Sequence, residues 1–208
     1  MQADSSIKKP KRFRSKYPFR MVTRYIPKRY EGLQDWQLKN REAVERFKQG
    51  NLTEAEMRKI VKLVKRIIAK GKDTNKWIIT YIPASTRDRY IKKYFTLTRY
   101  LRKHLEIPVA YFGVSILEEG KCKHEGGRKV ITSDNLIIKR YLLPVRKMNI
   151  ILIDDVITTG ESFRTVGDFL KAKGANSIFG LFYAMTIHPN LPEKTNNVKE
   201  MKKIESSP

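Results

Sequence analysis

The most informative stretch of this chain for its fold is Asn149-Ile-Ile-Leu-Ile-Asp-Asp-Val-Ile-Thr-Thr-Gly-Glu-Ser162. Its apolar run, residues 150–153, is short and unbroken, which is typical of a strand buried on both faces of a parallel sheet. Two carboxylates, Asp154 and Asp155, follow the run, and a small polar loop with Gly160 comes next. Apolar residues at helical spacing follow the loop, so the pattern predicts a strand, a loop and a helix in that order.

The order of these elements suits a phosphorylated ligand. A helix N-terminus offers unpaired N–H groups and a partial positive charge, and Gly160 lets the backbone approach a phosphate without a side chain in the way. The hydroxyls of Thr158, Thr159 and Ser162 can donate further hydrogen bonds. The two carboxylates could accept from vicinal sugar hydroxyls or face a hydrated Mg²⁺. A ribose 5-phosphate would satisfy both halves, whereas an ordinary turn capped by Thr or Ser is the simpler alternative.

Residues 151–162 resemble the phosphoribosyl-pyrophosphate (PRPP) motif of the type I phosphoribosyltransferases. That motif has hydrophobic residues, two acids, two further residues and then Thr-Thr/Ser-Gly-x-Thr/Ser. Glu161 departs from it, because this position is usually small and a carboxylate beside a phosphate is repulsive unless it points away. The resemblance implies that Asp154 and Asp155 hold the ribose hydroxyls and Mg²⁺. It places the 5-phosphate at Thr158, Thr159, Gly160 and Ser162.

The same resemblance implies a fold and an activity. The fold would be α/β, with a type I phosphoribosyltransferase-like parallel sheet flanked by helices and a basic helical N-terminal extension. The activity would be Mg²⁺-dependent transfer of the phosphoribosyl group from PRPP to a nitrogen base, with release of pyrophosphate. Positioning and electrostatics would supply most of the catalysis.

The resemblance also implies site residues outside the motif. The loop after a predicted strand at residues 77–82 would contact pyrophosphate, although its residues could instead cap the next helix. A polar loop at residues 118–129 would close over the site and exclude water. The residues implied are Ser85, Thr86, Arg87 and Arg89 for pyrophosphate, Lys123 and Arg128 in the closing loop, and His188 for the base.

Four segments are predicted along the chain. Residues 1–31 form a basic tail, residues 32–74 a helical hood or extension, residues 75–190 the phosphoribosyltransferase-like domain, and residues 191–208 a polar C-terminal tail. The second segment holds two helices, the later of which starts with a capping-box pattern at Thr53.

The composition is strongly basic. The chain has 208 residues, with 44 Lys and Arg against 21 Asp and Glu, which gives a net charge of +23. This excess favours polyanionic partners such as nucleic acid, although charge that only aids solubility is an alternative. In residues 1–31 cations alternate with aromatics, which could bind nucleic acid through phosphate contacts and stacking, or could pack on the domain.

Few other classes of partner or site are indicated. Cys122 is the single cysteine, so no disulfide and no structural metal site is expected. No apolar run approaches the roughly 18 residues of a membrane span, and no secretory signal begins the sequence. We expect a soluble cytoplasmic protein with no membrane partner, either alone or as a homodimer.

Within the phosphoribosyltransferases, the chain most resembles the competence protein F branch, which is linked to DNA uptake. The resemblance rests on Tyr81-Ile82-Pro83, a basic helix, Ile107-Pro108-Val109 and then the PRPP strand. The branch's Arg-Gly-Phe-Asn-Gln stretch and four-cysteine zinc ribbon are missing here. The alternative function is therefore a non-catalytic PRPP sensor or DNA-uptake accessory protein that binds nucleic acid through its N-terminal region; fold alone does not decide between the two.

Overall fold

The structure is a computed structural model that describes residues 15–71, 76–117, 124–125, 128–129 and 131–188, with the two short pairs described by backbone alone. The predicted C-terminal tail, residues 191–208, lies outside this part of the chain, as do the first 14 residues. The strands are β1 (Phe19–Tyr25), β2 (Trp77–Tyr81), β3 (Val114–Ile116), β4 (His124–Glu125), β5 (Arg128–Lys129), β6 (Leu136–Ile138), β7 (Asn149–Ile157) and β8 (Ser177–Thr186). The helices are α1 (Asp35–Gln49), α2 (Glu54–Lys70), α3 (Arg87–His104) and α4 (Glu161–Ala172).

A four-stranded parallel sheet in the order β1-β8-β7-β2 forms the centre of the molecule. Strand β7 lies between β8 and β2, and its first five residues are all buried. The unbroken apolar run in β7 is explained by this position, since a central parallel strand is covered by other elements on both faces. The predicted α/β class, a parallel sheet flanked by helices, is confirmed.

Different helices cover the two faces of the sheet. On one face α1, α2 and α3 contribute Phe47, Ile60 and Tyr94 to a core shared with β2, β7 and β8. On the other face α4 contributes Phe163 and Leu170, and the β3–β6 ribbon adds to the same cluster. Because α1 and α2 share their core with α3 and the sheet, the predicted boundary between residues 74 and 75 does not separate two hydrophobic cores.

The capping box predicted for the second helix is present in α2. Thr53 Oγ1 accepts a hydrogen bond from Glu56 N, and Glu56 Oε2 accepts one from Thr53 N. Glu56 is itself buried and pairs with Arg46 of α1. The start of α2 is therefore fixed both by its own sequence and by a contact with the preceding helix.

The N-terminal region differs from the prediction of an irregular tail. Residues 19–25 form β1, which pairs in parallel with β8, so the interpretation of residues 1–31 as a tail is wrong for this segment. Its aromatics pack inward, since the ring of Tyr17 lies 5.9 Å from that of Phe163 and the ring of Phe19 lies 5.9 Å from that of Phe182. The two arginines of this strand, Arg20 and Arg24, made the segment resemble a charged tail; both are exposed, as an edge strand allows.

The apolar segment at residues 109–117 is divided in the structure between an isolated bridge, a turn and a short strand. Val109 forms one bridge with Ile79, and the chain then turns before β3 pairs antiparallel with β6. Phe112, in this turn, has a positive φ of 60°. The apolar composition of the segment reflects burial in a turn and a short ribbon.

Within the described residues, no helix is both long and apolar enough to cross a bilayer.

Candidate functional site

The candidate site lies at the carboxyl ends of the neighbouring strands β2 and β7, where β7 continues beyond the end of β2. Helix α3 follows β2 onto one face of the sheet, whereas α4 follows β7 onto the other. In open α/β sheets such a reversal opens a crevice at the carboxyl ends of the strands, which is the usual place for a ligand. β2 ends at Tyr81, opposite Ile153, so Asp154 and Asp155 lie just beyond its end.

Residues 158–162, which we call the phosphate loop after the ligand that the sequence predicts for them, surround a small cavity at the N-terminus of α4. Gly160 has a φ of 73°, a left-handed conformation that favours glycine, and α4 begins after it with no side-chain cap. The cavity has a volume of about 170 Å³, and Asp154 lies in its wall. All four residues predicted to bind the 5-phosphate line it: Thr158, Thr159, Gly160 and Ser162.

The hydroxyls of this loop are held in part by the protein. Thr158 Oγ1 lies 2.8 Å from Thr186 Oγ1 at the end of β8, and Thr159 Oγ1 accepts a long, 3.4 Å hydrogen bond from Glu161 N. Glu161 is exposed in the first turn of α4, where the helix dipole stabilises its negative charge. The loop therefore combines backbone N–H groups, hydroxyls and one carboxylate around a single cavity.

The acid pair, Asp154 and Asp155, is bound to a lysine. Lys93 Nζ donates to Oδ1 of Asp154 at 2.8 Å and to Oδ1 of Asp155 at 2.7 Å. The side chain of Lys93 is only 16% exposed, and those of the two acids are 15% and 11% exposed. Asp154 Oδ1 also accepts from the Tyr94 hydroxyl at 2.7 Å and from Asp155 N at 2.8 Å. We call Lys93 and the acid pair the Lys93 cluster.

Helix α3 brings Lys93 to the acids. Its buried stripe includes Tyr90, Tyr94 and Leu97, and the ring of Tyr94 stacks on that of Tyr81 at 4.4 Å. The Tyr94 hydroxyl also lies 3.1 Å from the carbonyl of Ile82. Because this packing fixes the rotation of α3, Lys93, the residue before Tyr94, reaches the two acids beyond the end of β2.

Burial and charge set the pKa values in the cluster. Burial, with the nearby charge of Asp155, raises the pKa of Asp154 to about 7, although Lys93 opposes the shift. Burial would also raise the pKa of Asp155, but Lys93 and the hydrogen bond with Asp154 outweigh it and lower that pKa. Burial alone would lower the pKa of Lys93, whereas the two carboxylates raise it. Lys93 therefore stays charged, and Asp154 is the acid that takes a proton more readily.

The Lys93 cluster does not fit a protein-held Mg²⁺ as it stands. Mg²⁺ prefers near-octahedral geometry, keeps several of its waters, and is usually held by one or two carboxylates together with phosphates of a substrate. Here Oδ1 of both acids is occupied by an ammonium group, which would also repel the ion. Within the part of the chain that the structure describes, no group of three or more His, Cys, Asp or Glu residues could hold a metal ion.

The residues predicted to bind pyrophosphate are divided between two roles. Ser85, Thr86 and Arg87 line a cavity of about 820 Å³ beside the β3–β6 ribbon, but Arg89 does not. Arg89 instead donates to Ser85 Oγ at 3.0 Å, and Thr86 caps α3 by accepting from Arg89 N at 3.3 Å. The capping alternative is thus present in the structure, and it leaves three of the four side chains on the wall of the cavity.

The remaining predicted residues lie apart from the acid pair or outside the described side chains. His188 follows β8, and its Nδ1 lies 3.1 Å from Arg29 Nη2 and 3.4 Å from the Tyr30 hydroxyl. Lys123 is outside the described residues, and only the backbone of Arg128 is described, in β5. The site role of these two cations stays a prediction.

Sequence reasoning missed Lys93 and Tyr94. Both fall in a helix that was expected, but Lys93 is one of many lysines on a basic segment, and its partners lie about 60 positions further along the chain. The available signal was its place beside the apolar stripe of α3, which directs it toward the sheet. That signal becomes specific only once β2 and β7 are known to be neighbours.

The sequence matches no protein-family model and no curated protein sequence. Solved structures similar to this chain include a hypoxanthine phosphoribosyltransferase from Staphylococcus aureus, with 14% identity over 66% of this chain and 76% of that one, at a TM-score of 0.43. An adenine phosphoribosyltransferase from Saccharomyces cerevisiae matches with 18% identity over 65% of this chain and 70% of that one, at a TM-score of 0.38.

A third similar structure is a phosphoribosylpyrophosphate synthetase from Mycobacterium smegmatis, with 13% identity over 61% of this chain and a TM-score of 0.38. This chain covers only 33% of the length of the synthetase. Because all three TM-scores lie below 0.5, these similarities leave the function to be inferred from the site itself. The finer resemblance to competence protein F stays a prediction.

Proposed function

We propose that this protein binds the phosphoribosyl group of PRPP at the phosphate loop and the acid pair, and transfers it to a nitrogen base with release of pyrophosphate. The observation that carries the proposal is the cavity at the uncapped N-terminus of α4. The four residues that the PRPP-like motif assigns to the 5-phosphate line it beside Asp154. A helix N-terminus with nearby hydroxyls is an anion site, and a carboxylate at its edge suits a phosphate joined to a sugar.

In this proposal each part of the site has a separate task. The N–H groups and hydroxyls of residues 158–162 hold the 5-phosphate, and the acid pair accepts hydrogen bonds from the ribose hydroxyls. The base attacks C1 of the ribose, the bond from C1 to the diphosphate oxygen breaks, and the electron pair leaves with pyrophosphate. Ser85, Thr86 and Arg87, on the neighbouring cavity wall, are the candidates to receive the diphosphate. The protein then acts mainly by positioning its substrates and stabilising the leaving charge.

Calorimetric titration with ribose 5-phosphate and with PRPP tests the binding step. We expect both to bind the wild type and to bind Thr159→Ala/Ser162→Ala more weakly, by about tenfold, because each lost hydrogen bond to a charged group is worth about 1.5–3 kcal/mol at most and water replaces part of it. The matched control is Thr132→Ala/Ser133→Ala, which removes an exposed pair outside this cavity. Equal loss in the two double variants, or no binding to the wild type, would refute the proposed site.

Release of pyrophosphate over a panel of purine, pyrimidine and pyridine bases tests the transfer step. The expected result is release with at least one base, abolished in Thr159→Ala/Ser162→Ala. Release that is absent with every base, while PRPP still binds, would support the second candidate function below.

That second candidate is a non-catalytic PRPP sensor or nucleic-acid accessory protein. The pairing of Lys93 with both acids favours it, because acids already engaged by the protein are less available to assist a reaction. Its N-terminal binding surface would have to be smaller than predicted, since Tyr17 and Phe19 pack against α4 and β8. Deletion of residues 1–14 alone spares β1. Nucleic-acid affinity whose salt dependence is unchanged by this deletion would count against the N-terminal role.

A further inference from the structure

The Lys93 cluster places a cation of the protein itself against the two acids of the PRPP-like motif. The ammonium lies within hydrogen-bond distance of both carboxylates, and both acids are largely buried with it. We propose that Lys93 is a built-in cation of the phosphoribosyl site, which takes the place of a divalent metal ion at the acid pair, so that the sugar phosphate binds without a protein-held metal. This inference rests on the proposed function.

The packing around Lys93 supports a permanent place for it. Tyr94, the next residue, is completely buried, and its hydroxyl donates to Asp154 Oδ1 at 2.7 Å and lies 3.1 Å from the carbonyl of Ile82. Its ring stacks on Tyr81 of β2, so α3 cannot rotate away without opening the core. Withdrawal of the ammonium would leave two buried carboxylates without a counter-charge, which is strongly unfavourable. We infer that Lys93 remains between the acids when a ligand binds.

The acids can still contact a sugar while Lys93 is in place. The contacts with Lys93, the Tyr94 hydroxyl and the Asp155 backbone all use Oδ1, so none of these contacts engages Oδ2 of either acid. Ribose hydroxyls are neutral donors, so they can bond these oxygens without competing with the ammonium. Mg²⁺ would have to bind beside an existing positive charge and give up part of its water. The cluster therefore favours sugar hydroxyls over a metal ion.

The first test measures ribose 5-phosphate binding to the wild type with and without metal. This probe lacks a diphosphate, so a metal effect reports mainly on the carboxylates of the protein. Titrations are made in EDTA and in excess Mg²⁺ at equal ionic strength, since ionic strength alone weakens anion binding. We expect dissociation constants that agree within about twofold. Binding that Mg²⁺ strengthens by about tenfold or more would overturn the inference.

The second test follows Mn²⁺, as a spectroscopic substitute for Mg²⁺, by electron paramagnetic resonance without any sugar. The Lys93→Met variant frees both acids, and Lys92→Met removes an exposed neighbour on the same helix as the matched control. We expect Lys93→Met to retain Mn²⁺ at the acid pair, and the wild type and Lys92→Met not to do so. Mn²⁺ bound by the wild type and lost in Asp155→Asn would overturn the inference, and so would a folded Lys93→Met that retains no Mn²⁺.

The two proposals fail in different ways. If ribose 5-phosphate does not bind the wild type in either buffer, the proposed function fails, while the Mn²⁺ measurement still decides whether Lys93 excludes a metal. If Lys93→Met does not fold, which its circular dichroism spectrum will show, the Mn²⁺ measurement on the wild type and Asp155→Asn still decides the inference. Lys93→Arg, which keeps the positive charge, is expected to exclude Mn²⁺ as the wild type does.

Discussion

The phosphate loop and the acid pair are neighbours in one motif, yet the protein treats them in opposite ways. The loop surrounds a cavity, and its helix N-terminus has no side-chain cap. The acid pair is largely buried, and Lys93 is bonded to both carboxylates. One half of the motif is open to a ligand, whereas the other half already holds a cation of the protein. A motif that is continuous in the sequence therefore has two parts with different surroundings, and each part can be tested separately.

The difference follows from where the strands end. β2 pairs with β7 only as far as Ile153, so the acids lie beyond its end and α3 can reach them. β8 continues alongside β7 to Ile157, which brings Thr186 next to the phosphate loop and away from α3. A few residues along β7 thus separate a region governed by α3 from one governed by α4.

The largest expected effect is on stability, from removing the charge that the acid pair depends on. We predict that Lys93→Met lowers the free energy of unfolding by about 3–5 kcal/mol, because it leaves buried carboxylates unpaired. Lys92→Met, on the exposed side of α3, should change it by less than about 0.5 kcal/mol. Urea denaturation measures both. If Lys93→Met left the free energy of unfolding unchanged, the acid pair would have to be as solvated as the phosphate loop. The contrast between the two regions would then be lost.

The pH dependence of stability distinguishes Asp154 from Asp155, because their pKa values are shifted in opposite directions. Because the pKa of Asp154 is raised to about 7 in the folded state, its contribution to stability is fully present below its unfolded value of 3.8 and is lost as pH rises through 7. The pKa of Asp155 is lowered, so its contribution to stability is present above the unfolded value of 3.8 and is lost as pH falls below that value.

We therefore expect Asp154→Asn to be more favourable, relative to the wild type, at pH 7.5 than at pH 5. Urea denaturation at the two pH values measures the difference. Asp134→Asn, at an exposed position outside the site, is the control and should show no such change. A difference of the opposite sign would mean that Lys93 stabilises the charge of Asp154 more than burial opposes it.

A backbone change tests the open half of the motif. Gly160 and Gly174 both have positive φ, at 73° and 94°, and they lie at opposite ends of α4. We predict that Gly160→Ala and Gly174→Ala each lower the free energy of unfolding by about 1–2 kcal/mol, because an L side chain is strained there. Only Gly160→Ala should also weaken ribose 5-phosphate binding, as calorimetry would detect. Similar affinities in the two variants would show that the phosphate does not approach this backbone.

The smallest expected effect concerns Glu161, the one departure from the PRPP-like motif. Removing its charge from the first turn of α4 should tighten ribose 5-phosphate binding about two- to fivefold, which corresponds to the roughly 0.3–1 kcal/mol of a charge near a helix terminus. We therefore expect Glu161→Gln to bind more tightly at low salt and the gain to shrink at high salt. Glu106→Gln, an exposed control beyond the end of α3, should leave the affinity unchanged. A gain that persists at high salt would indicate a steric role for Glu161.

Much of the fold could be predicted from the sequence because its local signals are strong. The apolar run of β7, the capping box of α2 and the amphipathic stripe of α3 each depend on residues close together in the chain. β1 was missed because its arginines resemble a charged tail, and its pairing with β8 joins residues about 160 positions apart. Periodicity cannot reveal such a contact.

The candidate site also has one part that local sequence predicts and one part that depends on tertiary contacts. The phosphate loop could be predicted, since strand, loop and helix follow one another within residues 149–172. The engagement of the acid pair could not, because Lys93 reaches it only when α3 packs against the neighbouring strand. The geometry of a local motif is contained in its sequence, whereas the charges that surround it depend on the tertiary fold.

The most direct test of the phosphoribosyl site is an NMR titration of the ¹⁵N-labelled wild type with ribose 5-phosphate in EDTA. We predict saturable shifts centred on the backbone amides of residues 159–163, with smaller ones at Asp154 and Asp155, and weaker shifts of the same loop amides with inorganic phosphate. Shifts absent from this loop, or spread evenly over exposed lysines and arginines and identical for the two ligands, would contradict it.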